Sequence, residues 1–436
     1  MKVLKFGGTS VGSADRFKKV ASLINDGEKK VVVLSAMSGT TNSLVEIANY
    51  LFKKKNSIAS DLIEGLRTKY LKVIDELYAD EATVKRAIEL INSHFDYLQS
   101  FTQDSFTIHE EKAVLAQGEL ISTALFQLYL NEQGVASTLL PALQFMRIDK
   151  DLEPDNFYIK ENLNRLVLQE KNVEIFITQG FICRNVYGEI DNLKRGGSDY
   201  TASLIGVALQ AEEIQIWTDI DGMHNNDPRV VEATQPISHL SFDEAAELAY
   251  FGAKILHPTS VLPAKQANIP VRLKSTLNPK NEGTLITASS NANVIKAIAA
   301  KDGLTAIKIK SGRMLLAYGF LRKVFEIFEL YKTSIDMITT SEVAVSVTID
   351  DLTHIVSIQK ELQKYGQVQL DREQTIVCVV GDFREKDKGV AFSVMEALKN
   401  IPLRMISYGG SHHNISLLIN TSDKEEALKS LNTLFV

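Results

Sequence analysis

Lys5-Phe6-Gly7-Gly8-Thr9-Ser10-Val11-Gly12, near the start of the sequence, is a glycine-rich turn between two apolar patterns of different period. Val3 to Phe6 predict a short buried strand. Ala14 to Asn25 predict a helix with Phe17, Val20, Ala21 and Ile24 on one face. A strand that passes through a glycine-rich turn into a helix N-terminus presents unpaired N–H groups to an anion. Glycine lets the main chain come close to a phosphate, and Lys5 can hold its ammonium over the same point. The stretch lacks the Lys-Ser/Thr that must follow the second glycine of a Walker A loop, because Ser13-Ala14 follow Gly12. It also lacks G-x-G-x-x-G. A phosphate-handling loop and a plain tight βα turn both fit these residues.

Working outward, Val31 to Ser35 predict a second buried strand, then the hydroxyl-rich loop Ala36 to Asn42, then a helix with Leu44, Ile47, Ala48 and Leu51 inward. Two strand–loop–helix units in succession imply parallel strands with helical crossovers. Ligands of such sheets sit beyond the carboxyl ends of the strands, where both loops lie. Residues 57–133 are mostly helical by pattern, and Glu119 stands there among apolar neighbours, either on an exposed face or as a buried partner for a ligand ammonium. Val173 to Thr178 predict another buried strand. Arg195-Gly196-Gly197-Ser198-Asp199 repeats the opening chemistry of cation, glycines, hydroxyl and helix start. Arg195 suits bidentate capture of a carboxylate, and Asp199 could simply cap the helix. Strand Glu213 to Trp217 leads into a polar segment, Thr218 to Arg229, that suits a nucleotide base and ribose or a surface loop. Ser241 to Glu244 match a capping box, Lys254 is a second candidate phosphate cation, and Val271 to Lys274 predict the last strand of this half.

Composition narrows the class. The chain has 436 residues, 45% hydrophobic and 23% charged, which allows several domains with ample core. A net charge of −6 offers no basic surface for nucleic acid. Two distant cysteines point to a reducing compartment and no cysteine-built metal site, and the histidines show no ligand spacing. No protein-built metal site is expected, and any metal should arrive with a nucleotide. The first strand leaves no room for a signal peptide, and Leu120 to Leu130 is too short to span a bilayer, so a cytoplasmic protein is expected.

Asn278 to Asn293 reads as a linker. Beyond it the order βαββαβ occurs over residues 305–370 and starts again at Ile376, but the second copy ends without its fourth strand. A spare strand, Val294 to Ala300, precedes the first copy. The expectation is that this strand completes the second repeat, so that the first repeat is an insertion within it, since an unpaired sheet edge would be a liability.

Lys-Phe-Gly-Gly-Thr-Ser, Arg-Gly-Gly-Ser-Asp, Trp-Thr-Asp-x-x-Gly and Phe-Gly-Ala-Lys-x-Leu-His-Pro, in this order, resemble the aspartokinase family over essentially the whole chain. The resemblance implies an α/β amino-acid kinase fold, a mostly parallel sheet sandwiched by helices, followed by two α+β ACT domains. It implies a catalytic domain at 1–285, a linker plus completing strand at 286–303, and ACT domains at 304–372 and 373–436. The implied reaction moves a phosphoryl group from MgATP to the β-carboxylate of L-aspartate, the first step toward lysine, threonine and methionine. A carboxylate is already a nucleophile, so catalysis is positioning and charge neutralisation.

Carried over by motif, Lys5, Asp199 and Lys254 are the catalytic residues, with Asp199 orienting the lysine. Thr41, Glu119, Arg195 and Ser198 hold the substrate, with Arg195 on its α-carboxylate and Glu119 on its α-ammonium. Gly7, Gly8, Ser10, Thr218, Asp219, His224 and Arg229 join the two lysines around ATP. His224 stands where the family often has Tyr, and an imidazole stacks more weakly. Met314, Gly319, Phe320, Leu321, Ile335, Asp336, Ser341 and Glu342 match the effector segment of lysine-sensitive members. Asp336 is the partner for an amino-acid ammonium, and Ala317-Tyr318 replace a frequent Ser-Arg. Lysine is the first expected effector and threonine the second, and a homodimer or dimer of dimers through the ACT domains is implied. The competing expectations are a kinase with another carboxylate acceptor, of the glutamate type, and a sensor whose kinase half is dead. Glu119 with Arg195 favours a free α-amino acid, and retention of Lys5, Asp199 and Lys254 favours an active kinase.

Overall fold

The computed structural model describes the chain except residues 104, 194–195, 253–255, 290–294, 312–317, 384–387 and 436. Two compact units result, and their boundaries interleave. The first holds Met1–Met223, Ser238–Phe242 and Ile255–Ser290; the second holds His224–Ile237, Asp243–Lys254 and Asn291–Val436.

The first unit is built on an eight-stranded sheet. Its strands are β1 (Lys2–Phe6), β2 (Lys30–Leu34), β3 (Ser137–Leu139), β4 (Ile175–Gln179), β7 (Ile214–Thr218), β8 (His239–Ser241), β9 (Val271–Ser275) and β10 (Thr284–Thr287), in the order β3-β4-β2-β1-β7-β9-β10-β8. A separate hairpin joins β5 (Ile182–Arg184) to β6 (Ile190–Asn192). Pairing in the large sheet is parallel except between β9 and β10. β2 and β4 are buried along their whole length, as expected where helices cover both faces.

Its helices are α1 (Ala14–Ile24), α2 (Thr40–Phe52), α3 (Asn56–Leu77), α4 (Glu81–Ser100), α5 (Ile108–Glu132), α6 (Ala142–Phe145), α7 (Asn156–Gln169), α8 (Gly197–Ala208) and α10 (Leu262–Gln266), while α9 (Phe242–Tyr250) falls in the second unit from Asp243 on. Phe17, Val20 and Ile24 of α1 join Leu44, Ile63, Tyr70, Phe95 and Phe126 in one core over β1, β2 and β4. α8 packs on β1, β2 and β7 and is flanked by α7 and α10. α5 is long and apolar enough to cross a membrane, yet 78% of its most apolar window is buried within the unit, which makes it a core helix.

Three local expectations need correction. The opening loop does not enter α1 directly: Gly8–Val11 form a 3₁₀ turn, and α1 then starts under its own cap, Ser13, whose side chain accepts from Arg16 N. The stretch Asn278 to Asn293 is not all linker, because Thr284 to Thr287 pair with β9 and β8, with Thr284 and Ile286 buried. Asp199 does not cap α8, whose N-cap is Gly196 at φ +67.

The second unit carries a six-stranded antiparallel sheet, order β12-β13-β11-β14-β16-β15. The strands are β11 (Ile295–Lys310), β12 (Met337–Thr340), β13 (Ala344–Ile349), β14 (Gln367–Gly381), β15 (Met405–Tyr408) and β16 (Asn414–Asn420). Its helices are α11 (Phe320–Leu330), α12 (Ile355–Leu362), α13 (Val390–Ala397) and α14 (Lys424–Asn432). The spare strand and the first strand of the first repeat form one strand, β11. Its first half, from Ile295 to Lys301, pairs with Gly381 to Ile376, and its second half with Gln374 to Gln367 and with β13. Two apolar cores lie along this sheet, one under α11 and α12 and one under α13 and α14. Val231 belongs to the second of them.

Candidate active site

β1, β2, β4 and β7 lie side by side in parallel, so their carboxyl ends deliver four loops to one edge. A cavity of about 410 Å³ opens there, lined by Gly8 and Thr9, the stretch Ser35 to Gly39, Thr41, Asn42, Glu119, Phe181, Gly197 and Ser198.

Lys5 is the penultimate residue of β1, and its Nζ meets Asp199 Oδ1 at 2.6 Å, with both side chains less than 15% exposed. Asp199 can reach it because α8 begins at Gly197 and packs on β1. Gly7 continues past the ammonium: a Cβ there would lie 3.4 Å from Lys5 Nζ. Gly8 is needed for a close approach of protein to protein, since its Cβ would lie 2.9 Å from the Ala36 carbonyl oxygen. Ser10 is buried, and its hydroxyl donates to the Trp217 carbonyl at 3.5 Å, so it braces the turn against β7.

Glu119 lies inside, not on an exposed face. It is 4% exposed, and Oε1 accepts from Ala36 N at 3.1 Å. Oε2 has no partner, and burial pushes the carboxyl up to about 7. A buried, unpartnered carboxylate oxygen on a residue that lines a cavity asks for a cation. Ser198 Oγ and Ser35 Oγ are 2.9 Å apart, joining the β2 loop to the start of α8. A Cβ on Gly180 would strike Ser198, which makes that junction specific for glycine.

Phe181 lines the cavity with φ at +69, a conformation that costs a non-glycine residue about 1–3 kcal/mol and concentrates at functional sites. Its N–H donates to Thr201 Oγ1 at 2.9 Å, and its carbonyl accepts from Leu193 N. Only its position just after a strand at the ligand edge could have marked it in the sequence.

Thr218 ends β7 and Asp219 follows it, next to the end of β1, where Phe6 pairs with Trp217. Thr218 Oγ1 donates to Asp219 Oδ1 at 3.0 Å, and the Thr218 carbonyl accepts from Thr276 N. The other predicted nucleotide contacts lie in the second unit. His224 is 3.0 Å from Thr234 Oγ1, and Arg229 makes two bonds to Asp227, at 2.9 and 2.8 Å. Arg195, Lys254 and Met314 lie outside the described residues. Lys5, Gly7, Gly8, Thr41, Glu119, Ser198 and Asp199 are thus brought together; among the described residues, no cluster of His, Cys, Asp and Glu could hold a metal ion.

In the second unit Gly319 caps α11 at φ +80, placing Phe320 and Leu321 in its first turn. Ile335 packs against the core of the first repeat, Ser341 N bonds the Ala344 carbonyl, and Glu342 is exposed. The Asp336 side chain is 1% exposed. Its Oδ1 receives Lys301 Nζ at 2.6 Å and the Tyr250 hydroxyl at 3.0 Å, while Oδ2 has no partner. Lys301 also reaches Asp350 at 2.9 Å and lies 5.0 Å from the centre of the Tyr250 ring. Burial works against the Lys301 charge, but the two carboxylates outweigh it and hold its pKa above the ordinary value.

Residues 1–275 match the amino acid kinase family and residues 377–435 match an ACT domain. The lysine-sensitive aspartokinase 3 of Escherichia coli is 35% identical over 99% of this chain and 98% of its own. The crystal structure of E. coli aspartokinase III in complex with lysine and aspartate covers all of both chains, with a TM-score of 0.84 and 32% identity. Its complex with aspartate and ADP aligns over the same extent, with a TM-score of 0.81 and 34% identity.

Proposed function

Because this chain belongs to the amino acid kinase family, and within it to the aspartokinases, we infer that the cavity at the β1–β2–β4–β7 edge binds L-aspartate and the γ-phosphate of MgATP, and that the product is 4-phospho-L-aspartate. The observation that carries the reading is the pairing of opposite needs beside one cavity. Lys5 offers an ammonium fixed by Asp199, and Glu119 presents an unpaired buried oxygen.

The substrate ammonium pairs with Glu119, while Thr41 and Ser198 bond the substrate and Arg195 takes the α-carboxylate. The β-carboxylate then faces the phosphoryl group. Lys5 supplies fixed positive charge to the transferring group, and Lys254 supplies more to the phosphates. Asp199 holds the lysine in place and accepts no proton from the substrate, since a carboxylate needs none removed. Gly7, Gly8 and Ser10 shape the turn beneath the phosphates, and Thr218, Asp219, His224 and Arg229 serve the nucleotide. The Lys5 ammonium and the turn's N–H groups suit a polyphosphate, and Mg²⁺ arriving with the nucleotide would neutralise further charge.

The second unit is the sensor. We assign 1–285 to catalysis, 286–303 to linker and completing strand, and 304–372 and 373–436 to two ACT domains. Pairing of Ile295–Lys301 with Ile376–Gly381 supports this division. Lysine, with threonine as second choice, would bind at Gly319, Phe320, Leu321, Ile335, Asp336, Ser341, Glu342 and Met314 to restrain the kinase. Self-association through the sensor, as a dimer or dimer of dimers, is supported by exposed Phe392, Ile406 and Tyr408 and is read by light scattering. The assigned compartment is the cytoplasm.

Hydroxylamine trapping with MgATP and, separately, L-aspartate, L-glutamate and N-acetylglutamate tests the reaction. A hydroxamate from aspartate is the expected result. Product from glutamate alone would replace the acceptor, and product from none would leave a sensor without activity.

A further inference from the structure

We propose that helix α3 positions the substrate corner of the cavity: Tyr70 acts through Thr40, and Lys69 through the Ser38 carbonyl, to hold the Ser38–Thr41 turn in the geometry that receives the acidic amino acid. The inference rests on the assignment of this cavity to the amino-acid substrate.

The loop between β2 and α2 forms one wall of the cavity. Its first half is held from α5, where Glu119 Oε1 accepts from Ala36 N and Ser122 Oγ donates to the Ser35 carbonyl at 2.9 Å. Its second half is held from α3. Lys69 Nζ donates to the Ser38 carbonyl at 2.6 Å, and the Tyr70 hydroxyl lies 3.0 Å from Thr40 Oγ1. Tyr70 is fully buried against Phe95, so water cannot replace Thr40 as its partner. The N-cap of α2 is Gly39, at φ +80, with no side chain to cap the helix, so the direction in which its first turn meets the cavity depends on these outside contacts.

The opposite side leaves no slack. A Cβ on Gly118 of α5 would lie 2.7 Å from Ala36 Cβ and 3.3 Å from Thr40 Cγ2. The turn is therefore clamped between two helices, and Thr41, beside the clamped Thr40, faces the cavity. Lys69 adds charge as well as a bond. Its Nζ would lie 3.6 Å from a Cβ on cavity-lining Gly39, which puts an ammonium at the edge where a dicarboxylate enters.

Steady-state kinetics of the full-length chain test the proposal. Tyr70→Phe and Thr40→Val should each raise the KM for aspartate about five- to ten-fold, with kcat and the KM for ATP within about two-fold of wild type. Thr40→Ser, which keeps the hydroxyl, should restore the wild-type KM. The double variant should be no worse than either single one, because both remove the same bond. Lys69→Met should raise the aspartate KM and flatten its dependence on ionic strength, and Lys69→Arg should restore both. A Tyr70→Phe enzyme with unchanged aspartate KM, or with both KM values raised in proportion, overturns the proposal. Should Tyr70→Phe fail to fold, the Thr40→Val against Thr40→Ser comparison and the Lys69 pair decide it by the same criteria. A wild-type enzyme that ignores aspartate would instead refute the assigned substrate.

Discussion

Glu119 is the residue on which pH acts. Burial raises its carboxyl to about 7, so between about 4.5 and 7 the folded state holds a proton that the unfolded chain has lost. Stability of the free protein therefore falls as pH rises through that window, by about 3 kcal/mol in total, and levels off above it. A substrate ammonium reverses the preference by pairing with the ionised form. The aspartate KM should fall as pH is raised from 6 to 8, and Glu119→Gln should weaken aspartate binding and abolish that slope, as initial rates across pH will show. Lys5 makes a second prediction: Lys5→Ala should lower kcat about 10²–10³-fold while ATP affinity changes far less, by isothermal titration. Equal losses in both would assign Lys5 to binding alone. Both residues were legible in the sequence, Lys5 from its glycine-rich surroundings and Glu119 as an acid among apolar neighbours. Phe181 was not, because nothing in a lone phenylalanine marks a positive φ.

Among the elements, β1, β2, β4 and α8 could be read from their apolar patterns. The long strands β11 and β14 could not be read as single strands. Lys301-Asp302-Gly303 and Arg372-Glu373 look like breaks, but the backbone passes them with register shifts, Gly303 at φ +79 and Glu373 at φ +54. β10 was hidden by a polar run in which alternate residues still face inward. The same β11 brings Lys301 to Asp336, and this yields a prediction at the scale of the strand. Lys301→Met leaves the Asp336 carboxylate buried with only Tyr250 beside it. Stability should fall by at least ~2 kcal/mol, less than for a fully buried pair because Lys301 is 20% exposed. Added lysine should then raise the melting temperature more than it does in wild type. Asp336→Asn should abolish that shift. Equal shifts in Lys301→Met and wild type would show that effector and Lys301 do not share the carboxylate.

For the whole molecule, the boundaries of the two compact units interleave across the sequence division at residue 285. Residues 224–237 are polar and turn-rich, so they read as a loop of the catalytic half. Instead they belong to the second unit, where Val231 is 6% exposed and Asn226 donates to the Leu428 carbonyl at 2.9 Å. Val231→Asp should therefore act on the sensor, destabilising the second unit by about 3 kcal/mol or more. Urea unfolding with the lysine response as probe should show the loss, with aspartyl phosphate formation surviving at low denaturant. Loss of activity before regulation would place Val231 in the catalytic unit's stability.

β11 and β14 run unbroken from one sensor repeat into the other. The repeats are thus two ends of a common beam. A torque applied by a ligand bound at Asp336 would be delivered along the same backbone, through the irregular step at Gly303 and Glu373, to the sheet beneath α13 and α14. Occupancy of one end would then change the energy of the other, so a chain bearing one effector molecule should already differ, at both repeats, from a chain bearing none.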